Sequence, residues 1–207
     1  MLIDRRRASR EMESLGLDAL IATTPEHVLY ASEFESLGQS LIPETQVFAV
    51  VPKEADSPVA VAAPVGELDR AAELSEIEQV KFYPYGVFFY TVDEDTRIDD
   101  EGVRLKSLVQ ETKCAGSAGE ALRQALVAAG VPLGGVLGVD ERGLSAPEFA
   151  EVSQILSESQ VEQGFDVFRR IRRVKGPNEL QRVRRAVEIT EKAIQLTLGE
   201  VREKVTE

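Results

Sequence analysis

The chain has one cysteine, Cys114, and one histidine, His27, among its 207 residues. A single cysteine closes no intrachain disulfide, which fits a reducing compartment and gives a cytoplasmic expectation. A lone histidine without clustered carboxylates does not read as a metal site. No apolar run is long enough to cross a bilayer. The opening MLIDRRRASREMESLG is charged at helical spacing rather than basic and then greasy, so it does not read as a signal peptide. No serine or cysteine sits in a nucleophile pattern with a nearby base, and Cys114 in ETKCAG reads as an ordinary thiol at a loop or helix edge. The glycines of Gly134-Gly135-Val136-Leu137-Gly138 precede a strand. They do not join a strand to a helix, so they cannot aim helix N–H groups at a phosphate. The acidic run Asp93-Glu94-Asp95 with Asp99-Asp100-Glu101 lacks the glycine and terminal glutamate of a calcium loop and reads as solvated.

What is present is acidic and unevenly distributed. The formal net charge is −12. Residues 1–160 carry 28 acidic and 13 basic side chains; residues 161–207 carry 8 and 11. An acidic body argues against a nucleic-acid-binding fold as a whole. The exception is the stretch Arg169 to Arg185, with eight Arg or Lys and one acid, Glu179. That stretch keeps nucleic-acid binding, through contacts to its phosphates, open as an alternative. It also lies at a change of texture, where its charges can pair with acids of the body or of a following domain.

A body of this size buries roughly 70% of its unfolded surface, so it needs no disulfide or metal as a staple. Asp4 to Leu15 reads as a helix, with Ala8, Met12 and Leu15 on one face and Gly16 as its stop. Leu17 to Ala22 is a short buried strand. Thr24-Pro25-Glu26 starts a short helix that ends near Ser32 to Phe34. Gln46 to Val51 and Pro58 to Ala63 form a hairpin, followed by a helix over Gly66 to Leu74. Gln79 to Tyr85 alternates, and Pro84 marks it as an end or an edge. Asp93 to Asp100 reads as a loop. Ser117 to Ala129 is a helix opened by Ser117 with Glu120 three residues on, and Ser145 to Leu156 is a helix with Pro147 in its first turn. Val136 to Val139 and Ser159 to Gln163 are strands. Alternating strands and helices around one hairpin imply an α/β domain: three layers, with a mixed sheet flanked by helices. After Gly176-Pro177, the residues Leu180, Val183, Val187, Thr190, Ile194, Thr197 and Val201 recur in steps of three and four. They form one apolar stripe on a long C-terminal helix that needs a cover.

Three stretches in order, GLDALIATTPEHVLYASEF (Gly16 to Phe34), VLGVDERGLSAPEFAEVSQIL (Val136 to Leu156) and FRRIRRVKGPNELQRVRRAVEITEKAI (Phe168 to Ile194), resemble the creatinase and Xaa-Pro aminopeptidase (prolidase) family of pita-bread metallopeptidases. The resemblance implies that residues 1–164 are the family's N-terminal domain and 165–177 a linker. It further implies that residues 178–207 are the first helix of a catalytic domain lying beyond Glu207. It implies a homodimer acting on a proline-containing peptide or a related C–N bond. A peptidase of this kind uses two divalent metals, manganese or cobalt, none of whose ligands falls in this chain. The chain alone is therefore expected to be catalytically silent, with no catalytic or metal residue of its own. His27 reads either as a packing histidine or, with Tyr30 and Phe34, as part of a surface facing a partner subunit's active site. A stand-alone dimerisation module, pairing through the terminal stripe, is the other reading of the same helix.

Overall fold

The computed structural model describes residues 1–42, 44–74, 79–87, 97–111 and 113–200. In chain order the elements are α1 (Arg5–Leu15), β1 (Ala19–Ala22), α2 (Pro25–Ser32), α3 (Leu37–Leu41), β2 (Phe48–Pro52), β3 (Val59–Pro64), α4 (Leu68–Leu74) and β4 (Val80–Tyr85). They continue with α5 (Asp100–Glu111), α6 (Ala118–Ala128), β5 (Val136–Val139), α7 (Ala146–Ile155), β6 (Gln160–Gln163), α8 (Phe165–Arg173) and α9 (Pro177–Glu200).

The six strands form one sheet in the order β4-β3-β2-β1-β5-β6. β1, β2 and β3 pair antiparallel in succession, and the remaining pairs are parallel, so the sheet is mixed. The Pro84 strand lies at one edge, where a missing N–H costs no ladder bond. Strand alternation sorts the apolar residues onto two faces. Leu20, Ala22, Ala49, Val51, Val61 and Ala63 pack with Met12 of α1, Val28 of α2 and Phe168 and Ile171 of α8. Ala19, Ile21, Phe48, Val50, Ala60 and Ala62 pack instead under Leu122 and Leu126 of α6 and Val152 of α7. Both faces are covered, which makes the domain three-layered and explains why β1 is apolar at every position.

Local chemistry sets the helix ends. Asp4 accepts the Arg7 N–H at the start of α1, and Gly16, at φ 69°, closes it. On α1 Ala8 and Met12 are buried, but Leu15, read from the sequence onto the same face, is 43% exposed in the last turn. Ser145 and Glu148 form a reciprocal capping box on α7. In α6 the Ser117 hydroxyl accepts from Glu120 N, while the Glu120 carboxylate reaches Gly116 N instead of the cap residue. Arg5 donates from Nη2 to the carbonyls of Pro52, Glu54 and Ser57, fastening α1 to the hairpin turn.

Three helices are absent from the sequence reading: α3, α5 and α8, the last of which falls in the stretch read as a linker. α3 is five residues long, too short for periodicity to reveal it. α5 begins at Asp100, inside the stretch read as an acidic loop, with Asp100 and Glu101 in its first turn. Asp93, Glu94 and Asp95 of that stretch lie outside the described residues, as does Val201 of the terminal stripe.

The segment 165–177 is helical over Phe165–Arg173, and Phe168 and Ile171 are completely buried. Arg7 Nη1 donates to the Ile171 and Val174 carbonyls, tying the end of α8 to α1. α9 differs in kind. It has no buried residue along 24 residues, and Leu180, Val183, Val187 and Ile194 are 42%, 53%, 49% and 53% exposed. An ion pair from Arg182 to Glu33 at 3.3 Å links it to the body.

Candidate functional site

The most heavily built polar site sits where β1 and β5 end side by side. These parallel strands pair Ile21 with Val139, so Thr23-Thr24 and Asp140 emerge at the same sheet edge. Asp140 N donates to the Ile21 carbonyl at 2.9 Å, extending the ladder by one residue. The Asp140 carboxylate then turns inward, fully buried. Its Oδ2 accepts from Thr24 N at 3.0 Å, from the Thr24 hydroxyl at 2.7 Å and from His27 Nδ1 at 2.7 Å. The Thr23 hydroxyl donates to the Asp140 carbonyl. Thr24 makes no side-chain cap to α2, and Pro25 has no N–H to satisfy. Asp140 therefore caps α2 from another strand, with its charge at the positive end of the helix.

Burial alone pushes the Asp140 carboxyl upward. The hydrogen bonds from the His27 and Thr24 side chains and from Thr24 N–H outweigh that and hold it below the usual carboxylate range. A carboxylate only accepts, so Nδ1 of His27 is the donor in this bond. The ring stacks on Phe168 at 4.8 Å between centroids and 19°, and lies 5.1 Å from Phe165 at 52°. α8 therefore clamps the imidazole that β5 orients. Gly143 makes the approach possible: a Cβ there would meet Thr23 C and Thr24 N at 2.4 Å.

The outer side of His27 lines a cleft of about 460 Å³ with Thr24, Phe165, Arg172, Arg173 and Lys175. Arg142 lies over Phe165 at 4.0 Å from its centroid, and Arg172 over Tyr30 at 5.6 Å. The rest of the basic stretch is partly neutralised. Arg169 pairs with Asp166, Arg170 with Glu11 and Arg185 with Glu188.

His27, Tyr30 and Phe34 are all buried within their own chain. Tyr30 packs under Arg172, and burial pushes its phenol up to about 12. Phe34 meets Phe82 at 5.5 Å on the same sheet face. Beyond them a second polar cluster anchors α3. Glu67 Oε1 accepts from the Ser36 hydroxyl and Gly38 N, each at 2.7 Å, and Gln39 Nε2 donates to the Thr23 carbonyl at 2.6 Å. α3 itself projects Leu37, Leu41 and Ile42, which are 57%, 71% and 57% exposed. Cys114 is exposed.

Among the described residues no three His, Cys, Asp or Glu side chains come together as metal ligands. Asp140 Oδ2 is taken up by the donors of Thr24 and His27. Among the described residues no helix is long and apolar enough to cross a membrane.

A mixed sheet between two helical layers, with a buried carboxylate capping the second helix, defines an α/β domain. Residues 5–174 match the Creatinase/Prolidase N-terminal domain, and the chain belongs to that family. No curated protein sequence matches it. Among solved structures it is similar to the prolidase from Pyrococcus horikoshii, at 17% identity and TM-score 0.57, over 98% of this chain and 44% of that one. The X-Pro aminopeptidase from Thermotoga maritima is similar at 13% identity and TM-score 0.62, over 96% of this chain and 45% of that one. The N-terminal domain of the cytoplasmic peptidase PepQ from Mycobacterium tuberculosis is similar at 14% identity and TM-score 0.51, over 81% of this chain and 97% of that one. The chain spans less than half the length of the first two proteins. At these identities the likeness is one of fold.

Sequence reasoning did not single out Asp140. Its signal was present: an acid directly after the apolar run Val136 to Val139, in a stretch that also carries Gly143. Only the pairing of β1 with β5 sets that acid beside Thr24 and His27.

Proposed function

We propose that this chain is the non-catalytic N-terminal domain of a proline-specific peptidase or creatinase-like hydrolase, with α9 as the first helix of the catalytic domain. In this reading residues 1–164 are the body, 165–177 the junction and 178–207 the start of the second domain. The observation that carries it is the contrast between α8, which lies inside the family match, and α9, which lies beyond its end. α8 is packed into the body, whereas α9 presents Leu180, Val183, Val187 and Ile194 to solvent. A stripe of that length is stable in water only when something covers it. The metals of a peptidase parent, manganese or cobalt, belong to residues outside this chain. The parent acts in the cytoplasm on peptides containing proline.

The same reading assigns this domain dimer contacts and part of the wall over a partner subunit's active site. The exposed Leu37, Leu41 and Ile42, held on a helix that Glu67 and Ser36 anchor, support such a contact. His27, Tyr30 and Phe34 then shape the wall from beneath, since each is covered within its own chain. The test is a hydrolysis assay on Ala-Pro with added manganese. The 207-residue chain is expected to release no proline, and the chain extended through the following coding sequence is expected to release it. Metal-dependent cleavage by the 207-residue chain would overturn the proposal.

A further inference from the structure

We propose that α9 is a pairing surface for a second copy of this chain, joined antiparallel in one register. The proposal rests on the exposed stripe of α9 and does not depend on the assignment of a catalytic domain. Leu180, Val183, Val187, Thr190, Ile194 and Thr197 follow one another in steps of three and four, the spacing of a coiled-coil seam, and all are exposed. The ion pair to the body comes from Arg182, about 200° round the helix from Leu180, so it leaves the seam facing outward. Both threonines can enter a seam without stranding a donor. Thr190 Oγ1 donates to the Ala186 carbonyl and Thr197 Oγ1 to the Ala193 carbonyl, each at 2.9 Å. Ala186 and Ala193 flank the seam on one side and are small enough for two helices to approach closely.

Charge sets the direction and the register. Antiparallel pairing fills every layer of the seam: Leu180 meets the partner's Thr197, Val183 the partner's Ile194 and Val187 the partner's Thr190. No threonine then meets a threonine. The same register brings Arg184 beside the partner's Glu191, once on each side of the two-fold axis. Neither Arg184 nor Glu191 has an ion-pair partner among the described residues of its own chain. The like charges that antiparallel pairing brings near, Glu179 and the partner's Glu200, lie at its ends, in solvent. A parallel pair would instead set Glu179 against the partner's Arg184, but the Glu179 carboxylate already accepts Gly176 N at 2.8 Å. It would also stack threonine on threonine and crowd two bodies that each carry 28 acidic and 13 basic side chains over residues 1–160. Antiparallel, the bodies sit at opposite ends of a helix pair about 36 Å long. A seam this short is a small interface, so the pair forms on concentration and separates on dilution.

The test is sedimentation of the full chain from about 5 μM to about 0.5 mM. Wild type is expected to pass from monomer to dimer across this range. Arg184→Glu and Glu191→Arg each set like charges together on both sides of the axis, and each is expected to weaken pairing about tenfold. The double variant, Arg184→Glu with Glu191→Arg, restores opposite charges and is expected to regain wild-type pairing. Both positions are exposed, so the unfolding midpoint of dilute samples should stay in place in every variant. A chain that remains monomeric to about 0.5 mM overturns the proposal. So does a dimer whose affinity neither single swap changes, which places the contact elsewhere on the chain. Single swaps that weaken the dimer without rescue by the double variant overturn the antiparallel register.

Discussion

Asp140 carries more of the structure than any other polar side chain described. Its carboxylate satisfies the start of α2 and orients His27 from a strand more than a hundred residues away. Asp140→Ala leaves Thr24 N–H, the Thr24 hydroxyl and His27 Nδ1 without an acceptor, and is expected to cost about 3–5 kcal/mol in urea unfolding. Asp140→Asn keeps the shape and loses the charge, so it should cost less. The pH dependence has a definite sign. The folded carboxyl lies below its ordinary value near pH ~3.9, so its stabilisation is fully present above that pH. It is lost as pH falls through the folded value. The gap between wild type and Asp140→Asn should therefore be constant near neutrality and shrink in acid. A gap that widens on acidification would contradict this. Gly164, like Gly143, has no room to change: a Cβ there would sit 2.7 Å from Gly138 C, between α8 and β5. Gly164→Ala should destabilise by about 1–3 kcal/mol, measured by thermal unfolding.

Among the elements, α8 and α9 are neighbours in sequence with opposite relations to the core. Phe168→Ala removes a completely buried ring from between α1, α2 and the sheet, and is expected to cost about 3–5 kcal/mol. Val183→Ala on α9 should change the unfolding free energy of this chain by no more than about 0.5 kcal/mol, because the side chain is already solvated. The sequence makes the stripe on α9 plain, since steps of three and four over seven positions leave little choice of face. It is poorer at α8, where the five arginines and lysines of the stretch Arg169 to Lys175 mask Val167, Phe168 and Ile171, three apolar residues at helical spacing. The hairpin, the edge position of the Pro84 strand and the serine-capped helices were legible because each rests on local chemistry. α3, α5 and the Asp140 contact were not. The first is too short to show a period, the second has a polar first turn, and the third depends on which strands lie together.

For the molecule as a whole, the fold is that of a domain with two finished faces and one unfinished appendage. Both sheet faces are covered, the body's apolar residues divide between two cores, and among the described residues an exposed apolar stripe is left along α9. The Creatinase/Prolidase N-terminal match ends at residue 174, in the turn between α8 and α9. Backbone hydrogen exchange on a dilute, monomeric sample tests this division most directly. The account gives α8 the slow exchange of β1, since both sit in the core, and gives residues 180–198 fast exchange along their whole length. Protection of α9 equal to that of α8, in a monomer, would show the helix to be part of this domain and would contradict the reading of its stripe as a seam to another.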